Sequence, residues 1–317
     1  MKALKELLRD ATAGDPIKGL KWTKKTSRNL SRGLKHQGYQ IGADTVRRLM
    51  KEQGYVLRAN RKRLSKKQYP DRDRQMRHLR RKRKQHEKAG FPSISVDAKQ
   101  RELIGNFKNP GRTYRKQQKD VLESDYPSDA DGVAIPYGIY DTAHNEGFVV
   151  VGLSHQTAEF AVACIRLWWR KVGHSKFANK KHLLIQADCG GANGNRLWTW
   201  KYELQKLADE FGLTISVTHL PTGASKWNLI EHRLFCYIEQ NWAGEPLLSY
   251  ETVIKFIRTT KTDTGLRCQA YLDQTLYEIG KHVSQEQKAF INLKPHRVLP
   301  RWNYSILPHE CFHKTEK

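Results

Sequence analysis

Three carboxylates have the type and setting for metal-assisted chemistry. Asp97 ends the strand-like run SISVD, Asp188 ends the apolar run HLLIQAD, and Glu231 lies in KWNLIEHRLFCYIEQNW, whose spacing predicts a helix capped by Ser225. Carboxylates at neighbouring strand ends and on a covering helix can converge, although 91 and 43 residues separate them here. Hard oxygen donors of this kind suit Mg²⁺ or Mn²⁺, and two such ions clamp the attacking and leaving oxygens of an in-line phosphoryl displacement. Each acid has a plainer reading when taken alone: a strand-end turn residue, an Asx turn before Gly190 and Gly191, and a surface glutamate. Their joint placement is what points to a site.

Other residues gather around these acids. Asn228, Glu231 and His232 share one helical face by i, i+3 and i, i+4 spacing. Lys99, Arg101, Lys226 and His232 are candidates to meet phosphate oxygens or orient a carboxylate, with surface and helix-packing roles equally open for Lys226 and His232. Gly190, Gly191 and Gly194 loosen the loop after Asp188, as simple turn chemistry would also require. No Gly-Lys-Ser/Thr follows GGANG, which excludes a nucleotide-binding phosphate loop. Trp168, Trp169, Trp198 and Trp200 read as core residues, whereas Trp227 and Trp242 are open between packing and base stacking. Cys311 and His313 in HECFHK are two ligands short of a zinc site.

The elements that must position the acids follow in order. The runs SISVDA, ELIGNF and GFVVVGLS predict three strands. The helix QTAEFAVACIRLWWRKVG, the strand ending at Asp188, the helix NRLWTWKYELQKLADEFG, the strand LTISVTHL and the helix of Glu231 come next. That order predicts an α/β fold of the RNase H type, a mixed five-stranded sheet with flanking helices over residues 91–317, ending in a C-terminal helical extension.

The chain of 317 residues carries 57 Lys+Arg against 32 Asp+Glu, a formal net charge of +25. Residues 1–90 hold 28 of the basic residues and 8 of the acidic ones. Such a concentration reads as a phosphate-gripping segment joined to a nearly balanced body. Mean hydropathy is −0.74, no run approaches a membrane span, and the N-terminus lacks a signal peptide's apolar core. A cytoplasmic, nucleoid-associated protein with no membrane partner is expected. The five cysteines, Cys164, Cys189, Cys236, Cys268 and Cys311, include no CxxC pair and predict no disulfide framework.

Residues 1–60 predict a small all-helical domain. Leu30 and Leu34 lie one turn apart, a break over residues 40–43 contains Gly42, and Asp44 is placed to cap a second helix that buries Val46, Leu49 and Met50 and stops at Gly54. Thr45, Arg47, Arg48 and Lys51 then face outward, the pattern of a helix-turn-helix whose second helix enters the major groove of duplex DNA; a plain helical hairpin shares it. Residues 61–90, with 14 Lys+Arg and almost no apolar face, read as a basic linker, partly helical after Pro70, that tracks phosphates.

The strings SVDAKQRELIGNFKNPGR, IPYGIYD, LLIQADCGGANGNRLW, SKWNLIEHRLF and PRWNYSILP, with TVRRLMKEQGYVLRANRK upstream, resemble the Rhodopirellula-type transposase DDE family of bacterial insertion sequences. Ala192 and Thr222 depart from the pattern, where Ser and Pro are usual. The resemblance implies a DDE transposase that binds terminal inverted repeats through a helix-turn-helix and performs Mg²⁺- or Mn²⁺-dependent strand cleavage and transfer. On that resemblance Asp97, Asp188 and Glu231 are the catalytic acids holding two metal ions, with Lys226 a DNA contact and Asn228 and His232 in support. Asn228 also resembles the mariner-like branch of the superfamily. A homodimer on paired DNA ends is implied, acting on element ends and target DNA. Family members usually begin further upstream, so the DNA-binding region is expected to be shortened at its N-terminus. A catalytically idle DNA-binding fragment and an RNase H-like nuclease are the alternatives, separated by metal-dependent cleavage of duplex DNA.

Overall fold

The computed structural model describes residues 1–9, 12–14, 21–58 and 69–310. The chain divides into two compact units, Met1–Leu64 and Ser65–Lys317. Among the described residues no helix is long and apolar enough to cross a membrane.

In the first unit, α1 (Lys2–Arg9), α2 (Ser27–His36) and α3 (Ala43–Glu52) enclose Leu4, Leu8, Leu30, Leu34 and Val46, with Leu49 and Met50 packed against them. The Thr26 side chain accepts from the Asn29 amide and starts α2, while Gly38 and Gly54, both at positive φ, follow the ends of α2 and α3. Ser31 Oγ donates to the Ile41 carbonyl at 2.7 Å and pins the connection between these helices. Two expectations need correction. Gly42 is the cap of α3, and Asp44 sits in the first turn paired with Arg47 at 3.1 Å. The unit is also not all-helical, because β1 (Thr12–Gly14) and β2 (Lys21–Thr23) pair antiparallel.

The second unit begins with a helix, in the part of the basic segment expected to be helical after Pro70. Residues 61–68 lie outside the described residues, but residues 72–88 form α4 (Arg72–Lys88), which buries Gln75, His78 and Leu79. Hydrogen bonds dock this nearly all-polar helix. Gln75 Nε2 donates to the His219 carbonyl and to Asn303 Oδ1, both at 2.8 Å, and Gln75 Oε1 accepts from Asn303 Nδ2 at 2.7 Å. Gln186 Nε2 donates to the Leu79 carbonyl. A buried polar side chain with both ends satisfied replaces the apolar stripe that periodicity looks for.

The strands of this unit are β3 (Ser93–Ala98), β4 (Glu102–Ile104), β5 (Gly132–Asp141), β6 (Glu146–Gly152), β7 (His182–Ala187), β8 (Thr214–His219), β9 (Arg267–Asp273), β10 (Leu293–Pro295) and β11 (Asn303–Ile306). They form one mixed sheet in the order β10-β11-β8-β7-β3-β5-β6-β9, with β4 paired on β5. The pairs β3–β7, β7–β8 and β6–β9 are parallel. The nine strands exceed the predicted five. The C-terminal part is not simply a helical extension, since β9, β10 and β11 widen the sheet at both edges. The predicted second strand ELIGNF shrinks to the three residues of β4, and its place beside β3 is taken by β5. Buried on both faces and carrying Pro136 and Gly138, β5 offers no alternating pattern.

One face of the sheet packs on α5 (Ala158–Trp168), which runs through a π-helical turn at Trp169–Gly173 into α6 (His174–Lys176), and on α7 (Trp198–Phe211). The other carries a π-helical turn at Glu231–Phe235, α8 (Cys236–Asn241) and α9 (Tyr250–Thr259). The short α10 (Gln285–Ala289) precedes β10 and starts with a capping box on Ser284.

Glycine sets how closely the helix of Glu231 approaches. Gly138 pairs with Asp97 across β3 and β5. A Cβ there would lie 2.5 Å from Phe235 and 2.8 Å from Ile230, and one on Gly147 would strike Leu234. The missing side chains leave room for Ile230, Leu234 and Phe235 against the sheet, and so for Glu231 between them. Gly138→Ala is therefore expected to destabilise the protein by about 1–3 kcal/mol through overpacking, read as a lowered urea midpoint at unchanged m-value.

Candidate active site

Register alone brings two of the acids together. In the parallel pair β3–β7 the last matched residues are Val96 and Ala187, so Asp97 and Asp188 are the next residues on adjacent strands. Neighbouring strands lie about 4.8 Å apart. Ile94, Val96, Ile185 and Ala187 point into the core under α5 and α7, which turns Ser95, Asp97, Gln186 and Asp188 to the opposite face by the two-residue alternation. The third acid, Glu231, opens the π-helical turn just beyond the buried Asn228 and Ile230, over that same face. Single π turns are frequent at functional sites.

Each strand-end acid is served by its own buried asparagine. Asn228 Nδ2 donates to Asp97 Oδ2 at 2.7 Å, and Asn228 Oδ1 accepts from Ser95 Oγ at 2.8 Å. Asn193 stands near Asp188 and opposes the rise of its pKa, while its Oδ1 accepts from Tyr137 OH at 2.7 Å. The Ser95 hydroxyl orients the Asn228 amide so that its NH₂ faces the carboxylate. Both asparagines are almost inaccessible, and Asp97 also accepts from the Ala98 amide.

The electrostatics are those of crowded like charges. Burial first, then the Asp188 charge, pushes Asp97 up to about 7, against the Asn228 and Ala98 hydrogen bonds. Burial raises Asp188, with Glu231 adding to the rise and the Gly190 amide and Asn193 opposing it. Glu231 is raised by burial and by Glu239, and lowered by Lys99 and His232. Asp188 Oδ1 is buried with no hydrogen-bond partner. An anionic oxygen kept from water and left unpaired, beside a second carboxylate, fits a hard divalent cation and little else. Among the described residues, however, no three His, Cys, Asp or Glu side chains stand close enough to form a complete metal cage. Asp97 and Asp188 are the pair, and Glu231 acts on them at longer range.

Behind Asp188 lies a constellation that the sequence did not suggest. His219 is fully buried at the end of β8, and burial lowers its pKa to about 4, so the ring is neutral. Its Nδ1 meets the Asp188 carbonyl at 2.7 Å and its Nε2 meets Tyr304 OH at 3.2 Å. A carbonyl only accepts, so Nδ1 carries the proton and Tyr304 donates to Nε2; Trp200 Nε1 then donates to Tyr304 OH at 3.0 Å. These groups clamp the Asp188 backbone, and β11 contributes Tyr304.

The remaining predicted residues divide. Thr45, Arg47, Arg48 and Lys51 are exposed on α3 in the first unit. His232 donates from Nε2 to the Lys226 carbonyl, holding the turn that precedes Glu231 instead of reaching a carboxylate. Lys99 is buried between Glu102 and Glu239 and stacks 4.9 Å from Trp242, so it is an ion-pair residue and not an open phosphate contact. Trp242 is core, against its stacking reading, whereas Trp198 is 42 % exposed, against its core reading. Trp227 is exposed beside the acids, with Lys226 Nζ 5.0 Å from its ring. The pair Cys311 and His313 lies outside the described residues.

Comparison with known proteins gives the family of the chain. The family model of the Rhodopirellula transposase DDE domain matches residues 3–308. The chain belongs to that family. It is a DDE-type transposase. No curated protein matches it. Among solved structures, the transposase is similar to the Mos1 transposase paired-end complex with left transposon end, at 14% identity and a TM-score of 0.43 over 80% of this chain and 68% of that one. It is similar also to the Mos1 strand transfer complex, at 15% identity and a TM-score of 0.44 over 80% and 68%, and to the Mos1 mariner paired end complex with Mn, at 15% and 0.42 over 81% and 69%.

Two measurements check this description. Because the folded pKa of Asp97 is raised above its unfolded value, its contribution to stability is full below about pH 4 and is lost as pH rises through about 7. In chelator the transposase should thus be less stable at pH 8 than at pH 5, and Asp97→Asn should recover on the order of 1–3 kcal/mol at pH 8 in urea titrations. His219→Phe, which keeps the ring and removes both hydrogen bonds, should cost about 1–3 kcal/mol of stability and lower strand cleavage in protein that remains folded by circular dichroism.

Proposed function

We propose that this transposase cleaves DNA at the ends of an insertion sequence and joins them to target DNA, with Asp97, Asp188 and Glu231 as the catalytic acids. The single observation that carries the reading is the in-register pair Asp97 and Asp188, the first held by the buried Asn228 and the second with one carboxylate oxygen buried and unpaired. The order β6-β5-β3-β7-β8 at the centre of the sheet supports an RNase H-like catalytic core with the acids at its strand ends.

Mg²⁺ or Mn²⁺, two ions in the proposed site, supplies positive charge against the phosphate and makes water a better nucleophile. Asp97 and Asp188 would hold it directly, and Glu231 would complete the ligand set. Asn228 keeps the Asp97 carboxylate aimed, and His219 keeps the Asp188 backbone from drifting. In the first step a water oxygen bonds to phosphorus and the bond to the 3′ oxygen breaks, leaving a 3′-hydroxyl and a 5′-phosphate. In the second, that hydroxyl attacks a target phosphodiester and displaces its 3′ oxygen. The same geometry serves both steps, because each is an in-line displacement at phosphorus.

Recognition is proposed to fall to the first unit. There α2 and α3 form a helix-turn-helix, with Thr45, Arg47, Arg48 and Lys51 on the exposed face of α3 meeting duplex DNA at the inverted repeats. Lys226 is proposed to meet backbone phosphate beside the acids. Two element ends must be joined, which makes a homodimer the working assembly.

Asp97→Asn is expected to abolish Mg²⁺-dependent nicking of a duplex carrying the element's inverted repeats, by at least about a hundredfold, while leaving salt-sensitive DNA retention in place. Undiminished nicking by this variant would refute the assignment.

A further inference from the structure

Asp188 does not open onto a flat surface. It lines a trench of about 1010 Å³ whose walls include Arg196, Trp198, Lys201, Arg301 and Tyr304. Asp188 is the sole acidic residue of that lining. The floor near it is the glycine loop, with Gly191 at φ 56°, and a Cβ on Gly190 would already touch Asp188 Oδ2 at 3.4 Å. The trench therefore sets bare backbone and one carboxylate beside a cationic and aromatic wall.

The aromatic wall is organised. Trp198 is the first residue of α7, and Lys201 Nζ lies 4.6 Å and Lys288 Nζ 5.8 Å from its ring. Lys201 Nζ is also 5.5 Å from the Tyr304 ring. Arg301 lies 4.2 Å over Trp302 and is fixed by Asp71 at 2.8 Å, and Asn195 Nδ2 donates to the Arg301 carbonyl at 2.9 Å. The first turn of α7 holds no acidic residue and its cap makes no side-chain hydrogen bond, so its amides add to the positive lining. A half-exposed indole flanked by cations in a concave trench is the combination that binds unpaired nucleic acid: cations follow the phosphates and the ring takes a base. A base within a duplex cannot present its face to a side chain, because its neighbours cover it.

We propose that this trench holds a single-stranded DNA segment contiguous with the scissile phosphate, with a base displaced from the duplex and stacked on Trp198, and with Arg196 and Lys201 on its phosphates. The proposal rests on the catalytic reading of Asp188, since it is that acid which places the trench next to the cut. It also gives the exposed Trp198 a task that its neighbour Trp200, fully buried in the core, does not share.

The test compares binding of two labelled DNAs by the full-length protein in chelator, so that no cleavage intrudes. One is a blunt duplex; the other is the same duplex ending in a short single-stranded extension that carries 2-aminopurine at the junction. Wild type should bind the extended DNA more tightly and quench its fluorescence. Trp198→Ala should weaken binding of the extended DNA at least about fivefold, leave the blunt duplex within about twofold and relieve the quenching. Trp198→Phe should retain most of the preference. Equal losses on both DNAs would mean that Trp198 serves the duplex, and no loss would mean that it serves neither; either overturns the proposal. Asp97→Asn should keep the preference for the extension. Failure of wild type to nick with Mg²⁺ would therefore sink the catalytic reading separately, while nicking without any Trp198 effect would sink only this one.

Discussion

Two carboxylates forced side by side are the constraint around which the second unit is arranged. The parallel register of β3 and β7 leaves Asp97 and Asp188 no choice of neighbour, and burial makes their shared charge expensive. Left alone, such a pair would rotate apart or take up a proton. The fold prevents rotation by holding the Asp97 carboxylate with Asn228, itself pinned by Ser95, and the Asp188 backbone with His219. It leaves the charge itself unresolved, so the unpaired Asp188 oxygen and the raised Asp97 are two signs of one stored cost. Strain of this kind persists only where the surroundings over-determine the geometry.

That over-determination comes from elements far apart in sequence. Gln75 of α4, His219 of β8 and Asn303 of β11 share hydrogen bonds, and His219 passes the constraint to the Asp188 carbonyl while Tyr304 and Trp200 hold the ring from behind. On the other side, Gly138 and Gly147 let Ile230, Leu234 and Phe235 sit close to the sheet, which brings the π turn of Glu231 over the strand ends. A polar network and an apolar contact thus fix opposite flanks of one site. The network must be fully satisfied to be worth keeping, which explains why Gln75 uses both ends of its amide.

Much of this was legible in the sequence, and the misses have physical causes. The acids, their strands, α5, α7 and the Asn228 position followed from periodicity and from carboxylates at strand ends. The central strand β5 did not, because a strand buried on both faces has no alternation and Pro136 argues against a sheet interior. The helix α4 read as part of a phosphate-tracking linker because its buried face joins Gln75 and His78 to a single leucine, Leu79. The exchange of Trp198 and Trp242 between core and surface reflects helix ends: Trp198 is the first residue of α7, where the apolar stripe has not yet begun. His219 and Asn193 carry no spacing signal, since their partners are a backbone carbonyl and a tyrosine found only in three dimensions.

The charge distribution changes meaning once the units are known. Divided at residue 90, the chain looks like a strongly basic arm on a balanced body. Divided where the fold divides, residues 1–64 hold 17 Lys+Arg against 5 Asp+Glu, and residues 65–317 hold 40 against 27, so the excess is +12 and +13. The difference is α4 and the segment before it. This helix docks on the catalytic sheet through Gln75 and Leu79, and its Arg80 and Arg83 line a cavity with Ser95, Asn228 and His232. Positive charge thus lines a cavity beside Ser95 and Asn228, which hold Asp97, and is not only an attached grip. A unit that must admit polyphosphate to a pair of carboxylates needs such a lining, because local repulsion between phosphate and acid would otherwise oppose every approach.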